Sequence, residues 1–219
     1  MFKKIAATAF LSTLFTGCVS VKHVPLTAES SQALQGKTVV ATQFETPDFT
    51  AFTAGKATLG LIGAAAMVSA GNEIVRENEV QDPALSISAG LMERLAASRA
   101  MELKENNGTV AANDKIATLV SEYPGADYIL DVKTTGWMFN YYPADWTHYK
   151  VTYNARMRLI DSVNQSVISE TLCSSVQGDD NAPPTKDDLL NEDAKLLKEY
   201  LAKASNACVE VLSKEVLML

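Results

Sequence analysis

Between Tyr149 and Leu159 the chain alternates without a break. Tyr149, Val151, Tyr153, Ala155, Met157 and Leu159 interleave with Lys150, Thr152, Asn154, Arg156 and Arg158. Period two sustained over this length predicts a strand with one apolar face. Such a strand needs paired neighbours and a cover. Asp127–Phe139 ahead of it and Ser166–Ser174 behind the turn Asp161–Gln165 supply an antiparallel meander with one face covered. The cover follows in the chain. After Pro183-Pro184, Thr185 with Asp188 makes a variant capping box, and acidic Asp187 suits the positive end of a helix. Leu190, Ala194, Leu197, Leu201, Ala204, Cys208 and Val211 then recur in steps of four and three, to about Val216. The spacing predicts a long helix across the apolar face; a coiled-coil seam is its other use.

Upstream, Thr38–Phe44 is apolar on both faces and reads as a buried strand ended by Thr46-Pro47-Asp48. Asp82 and Pro83 start a helix that runs to about Arg99 on Ala84, Ile87, Leu91 and Leu95. A short strand at 100–104 precedes the Asn106-Asn107-Gly108 turn. A helix from about Asn113 carries Ile116, Leu119, Val120 and Tyr123 until Pro124-Gly125. The expected class is α/β (α+β): a mixed sheet with an antiparallel meander, two shorter helices and a long C-terminal helix packed on it.

The first residues read MFKKIAATAFLSTLFTGC. Lys3 and Lys4, an apolar run from Ile5 to Phe15 and small residues before Cys18 form a secretory signal. The run covers about 16 Å, too short to span a bilayer. The Gly-Cys junction resembles a lipoprotein lipobox, although Phe15 stands where Leu is usual. That resemblance implies cleavage before Cys18, a diacylglycerated thiol and an acylated (palmitate-type) amine. An ordinary signal peptide is the alternative. The division expected is a lipoprotein signal at 1–17, a flexible tether at 18–35 and one periplasmic domain at 36–219. Val19 and Ser20 after the Cys resemble outer-membrane sorting, with the lipid anchoring the protein to the membrane. Loss of Lys3 and Lys4 takes the formal charge of −7 to −9. A body this acidic excludes nucleic acid as a partner and charge-driven adhesion to anionic lipid.

If Cys18 carries lipid, Cys173 and Cys208 remain as an even pair in an oxidising compartment, and a disulfide is expected; two buried free thiols are the alternative. Chemistry is sparse. His23 and His148 are the two histidines, no cluster has metal-ligand spacing, and no nucleophile elbow, phosphate loop or dinucleotide fingerprint occurs. Asp179-Asp180 and Asp187-Asp188 read as solvated charge or capping. No catalytic residue, metal or cofactor is expected. Two segments suggest contacts instead. Gly136–Tyr149 holds Trp137, Phe139, Tyr141, Tyr142 and Trp146, fit for an interface or for cross-strand pairing that stiffens a hairpin. Residues 55–72, GKATLGLIGAAAMVSAGN, are charge-free from Ala57 onward. This apolar insertion lies between the first strand and first helix of one domain, so it cannot be a single span. It is either folded inside, through Gly60, Gly63 and Ala64, or offered through Leu59, Leu61 and Ile62 to a second copy, a partner or the lipid surface.

The order of elements, with Lys37–Phe44 first, Pro83–Arg99 as first helix and Gly125-Ala126-Asp127-Tyr128-Ile129-Leu130 leading into the meander, resembles outer-membrane lipoproteins related to the curli-secretion channel subunit and to the amino-terminal domain of TolB. The resemblance implies an envelope accessory, assembly or interaction factor without enzymatic activity. Residues 55–72 lack the alternation of that group's membrane hairpins. A periplasmic ligand-binding lipoprotein or a cell-wall-active enzyme is the second expectation.

Overall fold

The computed structural model describes residues 22–219. The reading of residues 1–21, including the signal and Cys18, lies outside the described residues. One six-stranded mixed sheet carries the fold, in the order Glu102–Lys104 (β3), Thr38–Ala41 (β1), Tyr128–Tyr142 (β4), Asp145–Asp161 (β5) and Ser166–Gln177 (β6), with Phe49–Phe52 (β2) also paired to β4. β4 (Tyr128–Tyr142), β5 (Asp145–Asp161) and β6 (Ser166–Gln177) form the antiparallel meander. β1 (Thr38–Ala41) and β3 (Glu102–Lys104) add parallel to the opening half of β4. Thr38 ties this edge down: its N–H and hydroxyl both donate to Asp127 Oδ2, at 2.9 and 2.8 Å. Those bonds hold the Asp127 carboxyl below its ordinary range.

The strand expected over Thr38–Phe44 stops at Ala41, and a second one, β2 (Phe49–Phe52), resumes along the same edge of β4 opposite Trp137–Asn140. Phe49 and Ala51 are buried against the main core. The chain then turns back through a single helical turn, α2 (Ala54–Ala57), into α3 (Gly60–Glu77).

α4 (Pro83–Arg99) starts as its sequence dictates, with Asp82 Oδ1 accepting from Ala84 N at 2.9 Å and Pro83 inside the first turn. Ala84, Ile87, Leu91 and Leu95 are buried. α4 and α6 (Lys186–Val211) cover one face of the sheet, and a π-helical turn, Leu212–Val216, continues α6. Cys173 on β6 and Cys208 on α6 are joined by a disulfide, with Cα atoms 5.7 Å apart. α5 (Ile116–Glu122) buries Leu119 and Tyr123 in a smaller core on the other face, over Val40, Ile129 and Ile160.

Two expectations change. The tether proposed for 18–35 is docked from Val24 onward. Val24 exchanges two backbone hydrogen bonds with Glu170, Leu26 N donates to Val216 O, and Thr27 caps a short helix, α1 (Ala28–Ala33), that seats fully buried Leu34. α6 is not continuous either. Glu192, Asp193 and Ala194 take φ of +51°, +56° and +56°. In an unbroken helix Leu189 and Ala194 would lie about 140° apart around the axis. The break rephases the first turn so that Leu189, rather than Leu190 of the four-three stripe, is buried with Ala194, Leu197, Leu201, Ala204 and Cys208.

Candidate contact surface

α3 lies against β2 through glycine. A Cβ at Gly71 would sit 1.9 Å from the Phe49 carbonyl oxygen, and one at Gly63 would sit 1.9 Å from that of Lys56. Gly63, Met67 and Gly71 are the buried stripe of this helix. Asn72 locks the register, accepting from Phe49 N at 2.9 Å and donating to Asp48 at 2.7 Å. Of the residues expected to allow close approach, Gly63 does so; Gly60 instead takes φ +58° in open space, and Ala64 is exposed.

The opposite side of α3 is apolar and open. Leu61 is 90% exposed, Ile62 79% and Leu59 59%. Ala64, Ala65 and Ser69 continue the exposed side, and charge returns only at Glu73. The nearest cation, Lys56, is folded back onto the Ala66 carbonyl at 3.2 Å. In residues 55–72 one stripe closes on the domain and the other faces out.

The aromatic segment divides the same way. Trp137 and Phe139 are fully buried, in an edge-to-face cluster with Phe49 and Tyr149. They are core residues, and as contact residues they are set aside. Trp146 is 65% exposed. Its Nε1 donates to Pro143 O at 3.2 Å, and its ring meets Tyr141, which stacks on Phe52. Tyr142 is half-buried, under the Lys150 ammonium.

Chain rise brings the two exposed groups to one end. Gly71 is level with Phe49, which pairs with Trp137. From Gly71 back to Gly60 the helix rises about 16 Å. From Trp137 to Tyr142 strand β4 rises about 17 Å. The start of α3 and the β4–β5 hairpin thus end level with each other, and no sequence pattern announces this.

The other face of the sheet holds charge. Arg156 and Arg158, expected on a solvated face, are 7% and 8% exposed. Both reach fully buried Asp131 Oδ2, from Arg156 Nη2 at 3.0 Å and Arg158 Nε at 2.6 Å. Residues 105–115 strap over them: Asp114 accepts from Arg156 at 3.1 Å and from Lys133 at 3.2 Å, and its carbonyl accepts from Arg158 at 2.7 Å. Burial pushes the Asp114 carboxyl up, but Lys133 and Arg156 outweigh it and leave it below the ordinary range. A second buried polar group joins Asp82, Thr134 and Tyr153. Beside it is a hollow of about 60 Å³ lined by Thr42, Ser88, Lys133 and Thr134. Wider, more open hollows of about 280 Å³, lined by Val80, Pro83 and Leu201, and about 470 Å³, lined by Asp193, Lys198 and Ala202, lie elsewhere on the surface. Among the described residues no group of three or more His, Cys, Asp or Glu is placed to hold a metal, and no helix is long and apolar enough to cross a membrane.

No protein-family model matches the chain, and no curated protein matches it. Solved structures similar to it include the PelC dodecamer from Paraburkholderia phytofirmans, at 13% identity over 86% of this chain and 96% of that one, TM-score 0.35. Lipoprotein GNA1162 from Neisseria meningitidis is 15% identical over 82% of this chain and 99% of that one, TM-score 0.29. Protein XCC0632 from Xanthomonas campestris is 13% identical over 87% and 89%, TM-score 0.40. At this level the likeness is one of general chain course, and no role passes from these proteins to this one.

Proposed function

We propose that the protein is a lipid-anchored accessory factor of the bacterial outer membrane, facing the periplasm, that acts by contact and not by catalysis. Cys18 carries the lipid, and the start of α3 with the β4–β5 hairpin makes the contact. The observation that carries this reading is the exposure of Leu59, Leu61 and Ile62 at the start of a helix that is charge-free on its open side, with Trp146 exposed on the β4–β5 hairpin. Solvated helix faces are normally charged, and large contiguous apolar exposure marks interaction sites. The resemblance to curli-secretion and TolB-type lipoproteins belongs to the same reading, as does the absence of enzymatic activity.

Two variants test it. Cys18→Ser should leave the protein soluble in the periplasm; its continued fractionation with membranes would sink the anchor. Ile62→Asp should remove crosslinks from this end to its neighbours while the domain unfolds at the same temperature. Unchanged crosslinks would place the contact elsewhere.

A further inference from the structure

The chain enters its folded body at Val24, whose N–H donates to Glu170 O at 2.7 Å and whose carbonyl accepts from Glu170 N at 2.9 Å. Leu26, 2% exposed, is held to Val216 O. Five residues lie between Cys18 and Val24, a reach of at most about 20 Å from one Cα to the other. Glu170 pairs with Arg158. Along β5, Trp146 lies about 40 Å beyond that level. A body of this length on so short a leash has two orientations. It stands with its contact end far from the bilayer, or it lies down.

The surfaces choose between them. Past the strap at 105–115, the sheet face opposite α6 is open. Leu172 and Val176 on β6 are 45% and 54% exposed, and Met138 and Thr152 share the face. Between the strap and the hairpin its alternate positions in β2, β4, β5 and β6 hold no carboxylate and one cation, Lys150; Asp145, opposite Tyr142, and Asp180, bonded to Tyr142, bring carboxylates back at the hairpin. In a body of net charge −9 that is a selective clearing. Along β4 and β5 the face runs on through Asn140, opposite Lys150, and Tyr142, beneath the Lys150 ammonium, to the hairpin that carries Trp146. The opposite end carries Asp127 and Asp161.

We propose that the mature domain lies on the bilayer that holds its own lipid, with this open face and the Trp146 end against the headgroups. The proposal rests on Cys18 bearing the lipid. The test uses the full-length mature protein as extracted from the cell envelope, placed on phosphatidylethanolamine/phosphatidylglycerol vesicles containing a spin-labelled lipid that quenches tryptophan near the headgroups. Trp137, at 1% exposure, is sealed, so quenching reports Trp146. The expected result is loss of Trp146 fluorescence on the vesicles, absent in Trp146→Phe. Leu172→Glu combined with Val176→Glu should abolish quenching while the protein still sediments with the vesicles. Sedimentation without quenching in the natural sequence overturns the proposal. So does a face-to-face crosslinked pair through Leu172 and Val176, which makes a second copy the occupant. Failure to sediment at all overturns the lipidation of Cys18 itself, and is read separately.

Discussion

Asp82 is a helix cap placed in the core, and the two roles conflict. Burial raises its carboxyl above the ordinary 3.8, against hydrogen bonds from Thr134 and Ala84 that lower it. A carboxyl raised in the folded state adds stability below its unfolded value, and that contribution is lost as pH rises through the folded value. Asp82→Asn keeps an acceptor for Ala84 and removes the charge. Chemical unfolding across pH should show the variant more stable than the natural protein near neutrality, with the difference vanishing below about pH 3. Asp131 is the reverse case, a buried carboxylate that two arginines require. Asp131→Ala leaves Arg156 and Arg158 uncompensated and should cost about 3–5 kcal/mol in urea unfolding. At Gly71, an added methyl meets the Phe49 carbonyl with nowhere to move, and Gly71→Ala should cost about 3 kcal/mol. Alternation in β5 shows Arg156 and Arg158 on one face, but not that a strap from 42 residues earlier buries that face.

At the scale of elements, what local periodicity encodes is what could be read. β4, β5 and β6, the start of α4 at Asp82-Pro83 and the capping box of Thr185 with Asp188 all stand where their patterns place them. β2 was not legible. Phe-Thr-Ala-Phe is too short for a period, and its strand form comes from pairing with β4, 88 residues later. The break in α6 was also hidden, because the four-three stripe runs through it while Leu189 decides the phase of the first turn. Three consecutive left-handed residues without glycine cost about 1–2 kcal/mol each. Asp193→Gly should therefore raise the midpoint of urea unfolding, by about 1 kcal/mol in stability. The clip between Cys173 and Cys208 closes 35 residues across that same helix. Its reduction should lower stability by about 3–4 kcal/mol, read as a fall in thermal midpoint.

At the scale of the whole molecule, a long sheet carries α4 and α6 on one face and leaves Trp146 exposed on its β4–β5 hairpin, with Leu59, Leu61 and Ile62 exposed at the start of α3. The candidate contact residues could be picked from composition, since a run without charge stands out. Which of them face outward could not. Trp137 and Trp146 look alike in sequence, and cross-strand register buries one and exposes the other. The same holds for Gly63 and Leu61, two residues apart on opposite sides of α3. On the proposed function, this exposed end serves contact and adds little to the fold. Leu61→Asp tests it directly, with unfolding free energy and in-cell crosslinking from the α3 end measured on the same variant. Stability within about 0.5 kcal/mol of the natural protein, with loss of the crosslinks, is the expected result. A loss of about 2 kcal/mol or more with the crosslinks retained would contradict it.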